Sequence, residues 1–315
     1  MARGLRIAFR IVSLLFIVIA VLAFSRMGGT TVVTAPEGDA AYITDALPLE
    51  FSIVTYNVQG RPWFDDTRKS FPEIGARMNA FDIVAYQECF KDHRVLWEPS
   101  VHPAKAYHNR LRDPLRIVGS GLSTVARFPL VTHKAEVFRT AAEVQNKVAS
   151  KGMLLTRFDI GGHTVDVYNT HMEAGSSPEA NESRRAQGQQ LIDFVARNSP
   201  AAHTVIFVGD FNMSPYREGV NYRDYTPRHF GSTEDMQART AVFDRIRAEL
   251  VLTDVSEELE GPVHDDIDRV LYRVGDGVTL SPISWEHNRD DFLFDDGRRL
   301  SDHDPVIVRF RLEAR

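Results

Sequence analysis

Asp210 and Asn212 stand two residues apart, where the apolar run 204–208 stops. A carboxylate at the end of a buried strand must find a cation, a donor or a proton, because desolvating it alone is costly. The pattern recurs along the chain. Asn57 closes the run 51–57, Glu88 closes 81–88 and His171 closes 163–171. Asp268 sits inside 267–272, and Asp302-His303 stand just ahead of the apolar run 306–310. Carboxylates and carboxamides in this proportion suit a hard, oxygen-ligated cation. Glu88, supported by Asn57, could hold Mg²⁺, which takes few protein carboxylates and keeps waters for its substrate; Mn²⁺ and Ca²⁺ are alternatives. The acidic and amide company of the two histidines argues against zinc. His303 beside Asp302 has the make-up of a general base, since a carboxylate orients an imidazole and raises its basicity. His171, paired with Asp268, could protonate a leaving oxygen or stabilise charge on a phosphoryl oxygen. A metal that polarises phosphorus and a base that activates water suffice for phosphodiester hydrolysis.

Each of these residues also has a plainer reading. Asp210 and Asn212 could bond nearby amides in a turn, and a single strand-end histidine is ordinarily a satisfied polar side chain. The repetition of polar termini on several strands is what argues for a site. Other chemistries lack their motifs: the chain has no G-x-S-x-G elbow, no P-loop and no G-x-G-x-x-G fingerprint. Its one cysteine, Cys89, leaves no intrachain disulfide and reads as a small buried side chain.

The elements that must position these residues follow from the hydrophobic pattern. The run 204–208 shows no alternation and reads as a strand buried on both faces. Further strands are expected over 51–57, 81–88, 122–127, 267–272 and 306–310, with a hairpin-like pair over 152–158 and 163–171. Helices are expected over 68–80, 182–197 and 242–250, the second amphipathic through Leu191, Ile192 and Val195. Interspersed helices and fully buried strands imply helices covering sheets, a layered α/β domain over 50–315 with its site at strand ends. The 315 residues, 43% of them hydrophobic, are ample for such a core. Residues 30–49, with Pro36, Gly38 and Pro48, read as a linker.

The N-terminus is set apart. Arg3, Arg6 and Arg10 precede the uncharged run Ile11 to Phe24. That is a signal peptide over 1–29 or, uncleaved, a membrane anchor over 7–25. Either places the domain outside the cytoplasm, as a secreted, periplasmic or anchored protein. Residues 1–30 carry four Arg and no acid, leaving 33 basic against 43 acidic residues in the remainder. An acidic body does not favour a nucleic-acid partner, although bound divalent cations could offset this locally.

Taken in order, Thr55-Tyr56-Asn57, Gln87-Glu88, Thr170-His171, Gly209-Asp210-Phe211-Asn212, Ile267-Asp268-Arg269 and Ser301-Asp302-His303-Asp304-Pro305 resemble the motifs of the endonuclease/exonuclease/phosphatase (DNase I-like) superfamily. The resemblance implies a four-layer α/β sandwich, two central and mostly antiparallel sheets flanked by helices, with the site where the sheets open. It implies Glu88 as metal ligand with Asn57 close by, and Asp210 and Asn212 binding and orienting phosphate and water. His171 with Asp268, and His303 with Asp302, would be the catalytic imidazoles and their carboxylates. Glu88-Cys89-Phe90 and Ala149-Ser150-Lys151-Gly152 further resemble the neutral sphingomyelinases, in which such a segment opens the strand before the catalytic Thr-His; Lys151 could face a substrate phosphate, the plainer reading being a solvated lysine at a strand start. That branch usually has an acid five residues before the lysine, where this chain has Asn146. Trp285, Phe292 and Phe294 are expected to pack in the core; the alternative is an aromatic membrane-touching hairpin. The function expected is an Mg²⁺-dependent phosphodiesterase, monomeric, cleaving a lipid headgroup as a phospholipase C. The alternatives are a secreted or anchored nuclease acting on nucleic acid, an inositol-type phosphatase, and a silent membrane-tethered binding module.

Overall fold

The computed structural model describes residues 12–15, 30–33, 41–109, 118–143, 147–214, 232–261 and 266–315. In order these give β1 (Thr30–Val33), β2 (Leu49–Asn57), α1 (Thr67–Arg77), β3 (Ile83–Gln87), α2 (His93–Trp97), β4 (Ala104–His108), β5 (Leu122–Ala126), β6 (Leu130–Val137), β7 (Gly152–Ile160) and β8 (His163–His171). Then come α3 (Pro178–Asn198), β9 (Thr204–Asp210), α4 (Thr233–Leu250), β10 (Thr253–Asp254), α5 (Val255–Glu260), β11 (Asp268–Arg273), β12 (Val278–His287) and β13 (Val306–Ala314). Seven strands form one sheet in the order β1-β4-β5-β3-β2-β13-β12, and six form a second, β10-β11-β9-β8-β7-β6.

Strand β9 shows how the layers arise. Successive side chains point to opposite faces. Ile206 and Val208 join the core between the two sheets, while Val205 and Phe207 join a core under α3 and α4 with Leu191 and Phe243. Strands β2 and β3 divide likewise. Ile53, Ile83 and Ala85 face the other sheet, and Val54, Tyr56, Val84 and Tyr86 pack beneath α1 and α2. The missing alternation in the sequence therefore marks two apolar environments per strand, and helix–sheet–sheet–helix is the result. The long helices start at caps the sequence supplies: Ser177 Oγ accepts from Ala180 N, and Ser232 Oγ from Asp235 N.

Topology decides where the polar termini go. Strands β2 and β3 are parallel, as are β8 and β9. Strand β11 runs antiparallel to β9, and β13 antiparallel to β2. The C-terminal ends of four strands and the N-terminal ends of two others therefore meet at one end of the sandwich. Period-two geometry adds a second constraint. Asn57, Gln87, Asn169, His171, Asp210 and Asp268 occupy the same phase as the inter-sheet residues of their strands. All six are buried and belong to the face between the sheets.

Several elements lie outside the sequence expectation. Residues 30–33, read as linker, pair as an edge strand with β4. Strand β4 carries Lys105 and His108, β6 carries His133, Lys134 and Glu136, and β12 contains Pro282 beside a register shift. Polar and Pro-bearing sequences of this kind become strands through their neighbours rather than through intrinsic preference. Helix α4 starts nine residues earlier than expected, at Thr233, and 78–80 form a 3₁₀ turn after α1. Phe292 packs edge-to-face on Tyr56 at 5.4 Å, and Phe294 and Trp285 lie half-buried against the outer and inner cores, the packing role expected. Apart from 12–15, the N-terminal apolar run lies outside the described residues, as does Asn146. Among the described residues no helix is long and apolar enough to cross a membrane.

Candidate active site

Asp210 is the centre of the site. Its Oδ2 accepts from Asn57 Nδ2 at 3.1 Å, lies 3.3 Å from His171 Nε2 and 3.9 Å from His303 Nε2, and its Oδ1 accepts from Asn212 N at 2.9 Å. Burial alone would raise its pKa, but the two imidazoles, Lys151 and the Asn57 amide together hold it below the usual carboxylate range. Gly209 makes this placement possible. A Cβ there would stand 2.0 Å from Thr170 O, and φ is +141°. Only glycine lets β9 pass so close to β8 immediately before the carboxylate.

The structure redistributes the carboxylate partners of the histidines. His303 Nδ1 bonds Asp268 Oδ2 at 2.6 Å, and Asp268 lies in register opposite Asp210. Asp302, adjacent in sequence, is exposed; its backbone N donates to Gln59 Oε1 at 2.9 Å, and its side chain makes no bond to the ring. The expected pairings of His303 with Asp302 and of His171 with Asp268 are therefore both replaced. The physical reason is placement: residues 301–303 form a bend that leaves Asp302 exposed, whereas Asp268 is buried at the start of β11 opposite Asp210. Burial opposes charge on His303, yet the charge and hydrogen bond of Asp268, with Asp210 and Asp302 adding to them, outweigh it and raise the imidazole pKa to about 10. Burial in turn pushes Asp268 up to about 6, with the imidazole pulling the other way.

His171 meets Asp210 instead. It is fully buried, and desolvation reinforced by the Lys151 charge drives its pKa well below the ordinary value, with the Asp210 carboxylate pulling the other way. Its Nδ1 and Asp268 Oδ1 are buried without a hydrogen-bond partner among the described residues. Lys151 is itself buried, with Nζ donating to Met172 O at 2.8 Å. Burial lowers its pKa, and the carboxylates of Asp210, Glu88 and Glu173 pull the other way. Asn212 takes a left-handed φ of +51°, donates from Nδ2 to Met172 O at 3.1 Å, and accepts at its own carbonyl from Arg239 Nη1 at 3.1 Å.

Glu88 also has left-handed backbone, φ +56°, just past the end of β3. Its side chain keeps 19% of its surface exposed, and its Oε1 lies 4.0 Å from His171 Nε2. Desolvation, with Asp210 and Asp302 adding to it, raises its pKa. A partly open carboxylate that receives no hydrogen bond among the described residues, beside an amide and a second carboxylate, is a donor set for a hard cation. Ligand atoms of Asp210, Asp268 and His303 also lie within 4.8 Å of one another. There, however, His303 Nδ1 and Asp268 Oδ2 are committed to their 2.6 Å bond, so the partly open Glu88 carboxylate is the better ligand, with Asn57 close by, its Oδ1 accepting from Gln59 N at 3.1 Å.

Sequence reasoning missed the support beneath the site. Gln87 Nε2 donates to Asn169 Oδ1 at 2.8 Å, bridging the two sheets, and Asn169 Nδ2 donates to Tyr86 O at 3.0 Å and Ser123 O at 2.9 Å. Both amides precede site residues, by one and two positions, which was the available signal. Behind Asn212, the buried Arg184 and Arg239 share Asp235 and hold the carbonyls of Glu173 and Gly175. Ser301 Oγ donates to Asn57 O at 2.6 Å, and Asp304 pairs with Arg289 and Arg299, which together fix the loop that carries His303.

This geometry can be set beside known proteins. The sphingomyelinase of Mycobacterium tuberculosis is 29% identical over 295 residues, 86% of this chain and 54% of that protein. The chain thus spans about half the length of that relative. A Staphylococcus aureus beta toxin variant with bound magnesium ions superposes with a TM-score of 0.56 at 16% identity, covering 82% of this chain and 99% of the toxin. TDP2 of D. rerio, in complex with a single-strand DNA product, gives 0.57 at 15% identity, covering 83% and 98%. Proteins with lipid and DNA in their descriptions share this architecture, a DNase I-like α/β fold with two mixed, mostly antiparallel sheets and flanking helices. Residues 54–303 match the profile of the Endonuclease/Exonuclease/phosphatase family, and the chain belongs to that family.

Proposed function

We propose that this protein is a divalent-metal-dependent phosphodiesterase acting outside the cytoplasm, releasing a phosphorylated headgroup from a choline-type lipid as a phospholipase C. The observation that carries the hydrolytic part is the 2.6 Å His303–Asp268 bond, which holds the imidazole with its Nε2 against Asn57 Nδ2 at 3.5 Å and 3.9 Å from Asp210. In this reading His303, its pKa lowered from the metal-free value by a divalent cation bound beside Asp210, takes the proton of the attacking water, and Asp268 stabilises the imidazolium that forms. Asp210 orients the water, fixed by Asn57 and Asn212, and the Asn212 amide meets a phosphoryl oxygen. His171 donates toward the developing charge, and Lys151 supplies positive potential from behind. Glu88 and Asn57 would hold Mg²⁺, which lowers the charge at phosphorus when bound. Support for the lipid branch comes from the mycobacterial sphingomyelinase relative and the acidic balance of the domain.

The test offers purified protein sphingomyelin vesicles and single- and double-stranded DNA in parallel, with Mg²⁺ or with EDTA. Mg²⁺-dependent phosphocholine release with intact DNA is the expected result. DNA cleavage with inert vesicles would overturn the lipid assignment while keeping the chemistry. Silence on both would overturn the reading as a whole.

A further inference from the structure

Residues 61–66 follow β2 and stand beside the site: Gly60 N donates to Glu88 O at 3.0 Å, and Gln59 Oε1 accepts from Asp302 N at 2.9 Å. The segment closes on itself. Arg61 reaches Asp65 through its backbone N at 2.9 Å, Nε at 2.8 Å and Nη2 at 3.0 Å, and Lys91 Nζ donates to Asp65 O at 2.8 Å. At the tip Trp63 and Phe64 are 64% and 82% exposed. Trp63 holds φ at +67°, a conformation that bulky side chains rarely adopt. Two large aromatic side chains kept in water on a clasped, strained turn are unfavourable for the free protein. They become favourable against an apolar phase. The chemistry of that phase is narrowed by charge, because Arg61 pairs with Asp65 and Lys69 with Asp66. Paired charges around the tip offer little to a polyanion or an anionic bilayer and suit a zwitterionic one. Tryptophan is a residue of choice at the boundary between headgroups and acyl chains.

We propose that Trp63 and Phe64 form a lipid-docking tip that enters the headgroup boundary of a zwitterionic bilayer and seats the mouth of the site on its surface. The inference rests on the lipid reading above, and its test separates the two. The full chain is bound to brominated phosphatidylcholine vesicles in EDTA and tryptophan emission is recorded. The N-terminal apolar run contains no tryptophan, and Trp97 is buried. Quenching is expected in the native protein and its loss in Trp63→Phe. In Mg²⁺, Trp63→Ala/Phe64→Ala should lower kcat/KM on vesicle substrate roughly 10- to 100-fold and leave a monomeric, short-chain phosphocholine ester within about twofold. Unquenched Trp63, vesicle activity unchanged by the double substitution, or a change of self-association in its place would each overturn docking. Quenching without lipid hydrolysis would overturn the catalytic reading and leave docking in place.

Discussion

Asp268→Asn is the sharpest test of the site, because the structure and the sequence order name different partners for His303. The bond from Nδ1 to Asp268 Oδ2 is 2.6 Å, in a largely buried setting. Unit charges about 4 Å apart attract by about 4 kcal/mol at an effective dielectric constant near 20, which is roughly a thousandfold in proton affinity. Removing the carboxylate charge should therefore bring the His303 pKa down from about 10 to near or below neutrality. Imidazole ¹H–¹³C NMR on metal-free protein reads this directly: the native ring should stay protonated through pH 9, and the Asn variant should titrate near pH 7 or lower. Turnover should fall by about 10²–10⁴, or about 2.7–5.4 kcal/mol of barrier. Stability carries the same signature. A raised histidine pKa stabilises the fold fully below about pH 6.5, and that contribution is lost as pH rises through about 10. The Asn variant should lack this alkaline decline. Asp302→Asn is the control: its exposed carboxylate makes no bond to the ring and raises the His303 pKa less than Asp268 does, so the ring should titrate much closer to the native value. A native-like titration and rate in Asp268→Asn would refute the assignment.

Two backbone-positioning arguments are open to measurement. Gly209→Ala places a Cβ 2.0 Å from Thr170 O at a φ of +141°, so denaturant unfolding should show a loss of at least about 2–3 kcal/mol together with lowered turnover. Arg239→Met removes the ion pair to Asp235 and the donors to Asn212 O and Gly175 O; breaking one partner of a buried pair should destabilise by about 3–5 kcal/mol, read as a fall in Tm, and Arg239→Lys should recover only part of it.

The sequence made the site legible for a reason of topology. Four polar residues at strand ends and two polar positions at or before strand starts are what parallel β2–β3 and β8–β9, with antiparallel β11 and β13, must produce if one end of the sandwich is functional. Unalternating runs such as 204–208 were legible because each face meets a different core. What could not be read was anything set by contact across the chain. The partner of His303 lies 35 residues away in sequence and was assigned to its immediate neighbour instead. The Gln87–Asn169 bridge spans two sheets. Edge strands such as β6 and β12 carry too many polar residues or a proline for their pairing to show in composition.

These particulars converge on the metal. Among the described residues six non-glycine residues have positive φ, and three of them, Gln59, Glu88 and Asn212, line the site, so strain is concentrated where the chemistry would be. Burial and neighbouring carboxylates raise the pKa of Glu88, and the Asp268 Oδ1 atom is left without a partner among the described residues. Such a cluster is held together against its own electrostatics. A cation binding the folded form alone offsets this by linkage, about 2.7 kcal/mol at a hundred times Kd. For a domain of this size that corresponds to a rise in Tm of roughly 5–10 °C. Differential scanning fluorimetry with and without Mg²⁺ should show that rise in the native protein, and Glu88→Gln should lose most of it while unfolding cooperatively. If Glu88→Gln keeps the full Mg²⁺ response, the ion is held elsewhere, and the Asp210–Asp268–His303 cluster becomes the place to look.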